Sequence, residues 1–113
     1  MPFASYHAHV YYDAATRPAA AAVREALGAG FAVLLGRWHD EPVGPHPVGM
    51  YQVAFAAGEF ARVVPWLMEH HAGLSVLIHP NTDDDLGDHT GRALWLGAPL
   101  ELRLDTFRQG GKS

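Results

Sequence analysis

Pro42, Pro45 and Pro47 stand almost together near the middle of the chain. The stretch they occupy, Arg37-Trp38-His39-Asp40-Glu41-Pro42-Val43-Gly44-Pro45-His46-Pro47, can be neither a helix nor a central strand. Each proline removes a backbone donor and fixes its own φ, so structure must be built on either side of this loop. Before it, Ser5–Tyr12 is rich in aromatic and β-branched residues and reads as a strand ending at Asp13. Thr16 is a candidate N-cap, and Pro18 falls in the first turn of a helix over Ala19–Ala29. Val23, Ala26 and Leu27 form its apolar stripe, and Gly28 and Gly30 end it. Phe31–Leu35 is a second strand.

After the loop, Met50–Phe55 is a third strand. Phe60–His70 is a second helix with Phe60, Val63, Val64, Leu67 and Met68 inward; Pro65 inside it predicts a kink or a late start. Leu74–His79 is a fourth strand, Ala93–Leu96 a short apolar segment, and Leu100–Leu104 alternates with charge as an edge strand would. The order is β-α-β-β-α-β with a C-terminal extension. That predicts an α+β, ferredoxin-like sandwich, with both helices on one face of an antiparallel sheet and the first and fourth strands adjacent. Residues 1–108 are expected to form one domain and 109–113 a flexible tail. The other face of the sheet needs a cover, and a second copy would supply it, so a homodimer is expected.

With 113 residues, 49% hydrophobic and 18% charged, the chain has the balance of a globular protein. A net charge of -4 leaves no basic footprint for nucleic acid. Neither a signal peptide nor a membrane-length apolar run is evident, so the expected location is cytoplasmic. Cysteine is absent, which excludes disulfides and thiolate metal sites. A metal would have to use histidine, carboxylate or backbone oxygen. Histidine is plentiful, with eight spread from His7 to His89.

The richest stretch is residues 75–92. An apolar run, Val76-Leu77-Ile78, ends at His79, and Pro80-Asn81 stops regular structure. Asp83, Asp84, Asp85, Asp88 and His89 follow on a polar loop. Period-2 geometry puts His7, His9 and Tyr11 on one face of the first strand. The start of that strand lies near the end of the antiparallel fourth, so His79 can converge with His7 and His9. Alone, a His-x-His pair is more often a hydrogen-bonded, half-buried pair or a dimer-interface feature than a metal site. With His79 and the acidic loop beside it, the set suits Fe(II), Zn or Mn. A carboxylate or a further histidine from residues 39–46 or 83–89 could complete the shell. Arg37 and Arg92 flank the polar loops and suit a substrate carboxylate. Trp38 is the tryptophan most open to a binding role, because of its loop. His70 and His71 close a helix and read as structural. No serine at a sharp strand-to-helix turn supports Ser-His-Asp catalysis, and there is no glycine-rich phosphate loop.

Four stretches carry a resemblance: Tyr6-His7-Ala8-His9-Val10-Tyr11-Tyr12; Arg37–Pro47 as written above; Gly49-Met50-Tyr51-Gln52; and Leu77-Ile78-His79-Pro80-Asn81-Thr82 through Asp88-His89-Thr90 to Trp95-Leu96-Gly97. Together they span nearly the whole chain, and in them it resembles the DOPA 4,5-dioxygenase family. The resemblance implies extradiol cleavage of a catechol such as L-DOPA by O₂, with non-haem Fe(II) or, in a purified sample, Zn or Mn. Under it, His7, His9 and His79 are expected at the metal, with Glu41 as a carboxylate ligand. His39, His46 and His89 are expected to act as acid, base or substrate contacts. Arg37, Trp38 and Arg92 are expected to bind substrate. Two other readings remain: a metal-free small-molecule binding domain, and a cofactor-free monooxygenase whose histidines serve only as acid and base.

Overall fold

The computed structural model describes residues 3–108. Its elements are β1 (Ser5–Tyr12), α1 (Arg17–Gly30), β2 (Leu34–Leu35), β3 (Gly49–Ala56), α2 (Phe60–His70), β4 (Val76–Pro80), α3 (Asp85–Asp88), β5 (Leu94–Leu96) and α4 (Asp105–Arg108). A single 3-10 turn, Ala57–Glu59, leads into α2. The strands form one antiparallel sheet in the order β2-β3-β1-β4-β5. This is the ferredoxin-like plan, with β1 and β4 neighbours as expected and β5 added at the β4 edge.

Alternation along the strands sorts two kinds of residue. Ala8, Val10 and Tyr12 of β1, Tyr51, Val53 and Phe55 of β3, and Val76 and Ile78 of β4 face the helices. There they bury against Ala20, Val23 and Leu27 of α1 and Val63, Val64 and Leu67 of α2. Burying each large aliphatic side chain contributes about 1.5–3 kcal/mol. The Tyr51 hydroxyl donates to the Ala20 carbonyl at 2.7 Å, tying the sheet to α1.

Several expectations need correction. Thr16 does stand at the N-cap of α1, but its side chain caps nothing. It closes a turn with Asp13 instead: Asp13 N–H donates to Thr16 Oγ1 and Thr16 N–H to Asp13 Oδ1, both at 2.9 Å. The helix runs through Gly28 to Gly30, and the stripe is Ala20, Val23 and Leu27, with Ala26 exposed. Phe31 continues the helix end, its N–H donating to Leu27 O, so only Leu34 and Leu35 pair with β3. In α2 Met68 is 60% exposed, because it lies well around the helix from the Val63–Leu67 face. The helix begins at Phe60, with no late start, and carries Pro65 on its exposed side. There water can reach the carbonyl of exposed Ala61, which the proline leaves without its usual donor.

The largest correction concerns residues 100–104, which pair with no strand. They cross the helix-free face of the sheet instead. Leu100 and Leu102 pack with Ala93 and Trp95 over Tyr11, Met50 and Leu77, and Arg103 N–H donates to Pro45 O at 2.8 Å. The chain itself therefore covers part of the face that had been assigned to a second copy. The expected tail, 109–113, lies outside the described residues. Among the described residues, no helix is long and apolar enough to cross a membrane.

Candidate metal centre

Histidine replaces apolar side chains at one end of the helix-free face. β1 and β4 pair with His7 opposite His79 and His9 opposite Leu77, so three imidazoles leave the sheet together. Nε2 of His9 lies 3.0 Å from Nε2 of His79. The His79 Nδ1–H donates to the Pro80 carbonyl at 2.8 Å, since a carbonyl can only accept. Neutral His79 therefore has its lone pair at Nε2, where it accepts from the His9 Nε2–H and where a metal could take that proton's place. Two ligand nitrogens at right angles on one ion, each about 2.1 Å from it, sit about 3 Å apart. The His9–His79 spacing matches that arrangement.

Loops bring two more imidazoles. His46 comes from the proline-rich loop, its ring centroid 4.3 Å from that of His9. The loop is pinned by reciprocal backbone bonds between His39 and Met50, at 2.9 and 2.8 Å. Gly49 allows this approach: a Cβ there would sit 2.9 Å from His39 O. The Tyr11 hydroxyl lies 2.7 Å from His46 Nδ1. His89 follows α3, its ring 4.2 Å from that of His79, and its Nδ1–H donates to Asp85 O at 2.8 Å. Such bonds at the far ring nitrogen fix imidazoles for metal binding. The ligand nitrogens of His7, His9 and His79 all lie within 4.8 Å of one another, as do those of His9, His46 and His89.

The acidic stretch proves to be a clasp that holds His89. Asp84 caps α3 through Gly87 N–H. Buried Asp88 accepts from Thr82 N–H, Thr82 Oγ1 and Arg92 Nε, at 2.8, 2.7 and 2.9 Å. Burial alone would raise the Asp88 carboxyl, but the Thr82 and Arg92 bonds outweigh it and hold it below its ordinary value. Arg92 Nη2 also bonds the Asp84 carboxylate.

Burial keeps four of these imidazoles neutral. It pushes His9 well below its ordinary value, and the neighbouring imidazoles act the same way. Burial lowers His46 to about 3, helped by His89 and His79. It lowers His79 to about 4, partly offset by the Pro80 bond. His7 is lowered by burial and then by His89. Near pH 7 these rings offer lone pairs rather than charge, as a cation requires.

The imidazoles open onto a cavity of about 260 Å³. His7, His9, His39, His46, His79 and His89 all line it, so every histidine expected at the site is there. The other expected residues are not among its lining. Glu41 and Arg37 are exposed. Trp38 is on the helix side of the sheet, packed on Tyr12 and Tyr51 with the Arg17 guanidinium 4.0 Å over its ring. Arg92 is occupied in the Asp84–Asp88 clasp. The sequence reading missed Gln52 and Asn81 on the cavity wall and Tyr11 behind His46, and it held Asp85 only as one of several carboxylates in residues 83–89. Gln52 pairs with His9 across the sheet, a register that strand order alone does not give.

Residues 6–106 match the family model described as the Dopa 4,5-dioxygenase family. The chain belongs to that family. A crystal structure of a "putative dioxygenase" from Nostoc punctiforme aligns with a TM-score of 0.94 and 57% identity, covering 96% of this chain and 95% of that one. A DOPA 4,5-dioxygenase of Amanita muscaria is 38% identical over 108 residues, covering 88% of this chain and 47% of that protein. An uncharacterized 21.2 kDa protein of Botryotinia fuckeliana is 42% identical over 81 residues, 65% of this chain and 44% of that protein. The chain thus spans under half the length of these two curated relatives. All five clustered histidines fall within the family match.

Proposed function

We propose that this chain is a dioxygenase that uses non-haem Fe(II) and O₂ to open a catechol ring beside its hydroxyls. The observation that carries this reading is the pair of nitrogens facing each other at 3.0 Å on two buried, neutral imidazoles, His9 and His79. His7, His9 and His79 would hold the ion; Zn or Mn could occupy the same nitrogens in a purified sample. When bound, the ion supplies Lewis acidity for the catechol hydroxyls and redox chemistry toward O₂.

The remaining work belongs to the protein. Val43, Pro45 and Met50 give the cavity apolar surface on which an aromatic ring can lie. The segment around Leu100 and Leu102, tied to Pro45 through Arg103, shields the adjoining face from water. His46 meets the Tyr11 hydroxyl at Nδ1; with Nδ1–H donating to that oxygen, the lone pair is at Nε2, the candidate acceptor for a catechol proton. His39 and His89 are the candidates for returning a proton to the product. Glu41, Arg37, Trp38 and Arg92 have no part in this reading, given where they stand. The partners are a small aromatic and O₂. A homodimer remains part of the proposal, read by light scattering on the eluted protein.

The test is anaerobic loading with Fe(II), followed by O₂ uptake with a panel of catechols that includes DOPA. The expected result is iron-dependent uptake with a yellow ring-opened product, lost in His79→Ala. No iron binding and no O₂ uptake with any catechol would overturn the proposal. Turnover by the metal-free protein would favour the cofactor-free monooxygenase, and binding of aromatics without O₂ uptake the binding domain.

A further inference from the structure

The charge on the cavity wall bears on which catechols fit. Among the described residues, no lysine or arginine lines the cavity. Arg17, Arg62 and Arg92 are paired with carboxylates elsewhere, and Arg24 donates to the Gly36 carbonyl. The wall carries a single carboxylate, Asp85. It is half-buried in the first turn of α3, and its backbone carbonyl, not its side chain, holds His89. Among the described residues, its carboxylate has no hydrogen bond or ion pair, unlike Asp84 and Asp88 beside it. It also stands outside both imidazole groups whose ligand atoms lie within 4.8 Å of one another. Asp85 thus lines the cavity with a carboxylate that has no partner among the described residues, and it lies outside the metal set.

We propose that Asp85 selects the substituent on the ring, favouring a catechol that carries an ammonium group over one that carries only a carboxylate. This rests on the catechol reading above and reverses the charge that Arg37 and Arg92 had suggested. An ammonium gains a charge-assisted bond at Asp85. A lone carboxylate meets like charge with no lysine or arginine among the lining residues to offset it, while a bound ion acts at the catechol oxygens of every compound compared. An amino-acid catechol would be met through its ammonium end.

The experiment compares Fe(II)-loaded wild type and Asp85→Asn with three catechols. They are 3,4-dihydroxyphenethylamine (cationic), 4-methylcatechol (neutral) and 3,4-dihydroxyphenylacetate (anionic). The readout is the ratio of kcat/KM for the cationic compound to that for the anionic one. The ratio is expected to exceed one in wild type and to fall roughly three- to tenfold in Asp85→Asn, as for a partly solvated charge pair. Arg37→Ala is expected to leave the ratio in place. Calorimetric binding of the same compounds to the metal-free protein should show the same order. That arm separates two failures: if nothing is turned over, the ring-cleavage reading falls while the charge preference is still measured. An unchanged ratio in Asp85→Asn, an equal loss on all three compounds, a wild-type preference for the anion, or no binding and no turnover at all would each overturn the role of Asp85.

Discussion

The two faces of one sheet are built from the same strands to opposite ends. On the helix side, Ala8, Val10, Val76 and Ile78 are buried against α1 and α2 in an apolar core, with the Tyr51 hydroxyl tied to Ala20. On the other side, their neighbours His7, His9 and His79 bury imidazoles against one another, and among the described residues His9 Nδ1 has no hydrogen-bond partner. A buried polar group without a partner costs about 1–3 kcal/mol. The helix face thus stabilises the fold, and the histidine face draws on that stability to hold side chains that a core would otherwise exclude. Stability and chemistry are divided by the parity of residue number along β1 and β4.

Substitutions that strike one face alone should pull these two roles apart. The largest effect is expected for His9→Ala, which removes the imidazole common to both candidate metal groups. Catechol-dependent O₂ uptake should fall roughly a thousandfold or more, in line with the several kcal/mol that a catalytic ion supplies. Leu67→Ala empties a fully buried site on the opposite face. Urea unfolding should show a loss of about 2–5 kcal/mol, with metal stoichiometry unchanged in the folded fraction.

Acid should reach the histidine face first. The lowered His7, His9, His46 and His79 take up fewer protons folded than unfolded. Stability of the metal-free protein should therefore be intact above the unfolded value near pH 6.5 and decline as pH falls toward the folded values, about 4 for His79. The loss is on the order of a few kcal/mol, and bound metal should delay it. Asp88→Asn, read by the same unfolding experiment, should cost about 1–3 kcal/mol, because Arg92 and the Thr82 donors lose a buried carboxylate. Metal affinity should drop with it as His89 loses its clasp. Glu41→Gln should be the smallest change, near zero in both stability and metal binding, since Glu41 is exposed and off the cavity wall.

What the sequence revealed follows from the range of the forces involved. Period-2 alternation and the adjacency of β1 and β4 were enough to place His7, His9 and His79 together, because both follow from strand geometry and fold plan. The arrival of His46 and His89 depended on loop paths fixed by contacts between distant residues, such as Arg103 N–H to Pro45 O, which leave no periodic trace. The crossing of Leu100 and Leu102 over the sheet was misread as an edge strand because one-sided burial produces the same alternation. Trp38 was misplaced because its loop suggested exposure, whereas Arg17, Tyr12 and Tyr51 enclose it on the helix side. The role of Arg92 was not readable, since α3 ends at Asp88 and the bond to Arg92 forms across the turn that follows it.

The most direct test of the division between the faces is an anaerobic calorimetric titration of Fe(II) into metal-free wild type and His9→Ala, with circular dichroism showing both folded. The account predicts one ion bound per wild-type chain and none in His9→Ala. Equal binding by the two proteins, or no binding by wild type, would contradict it.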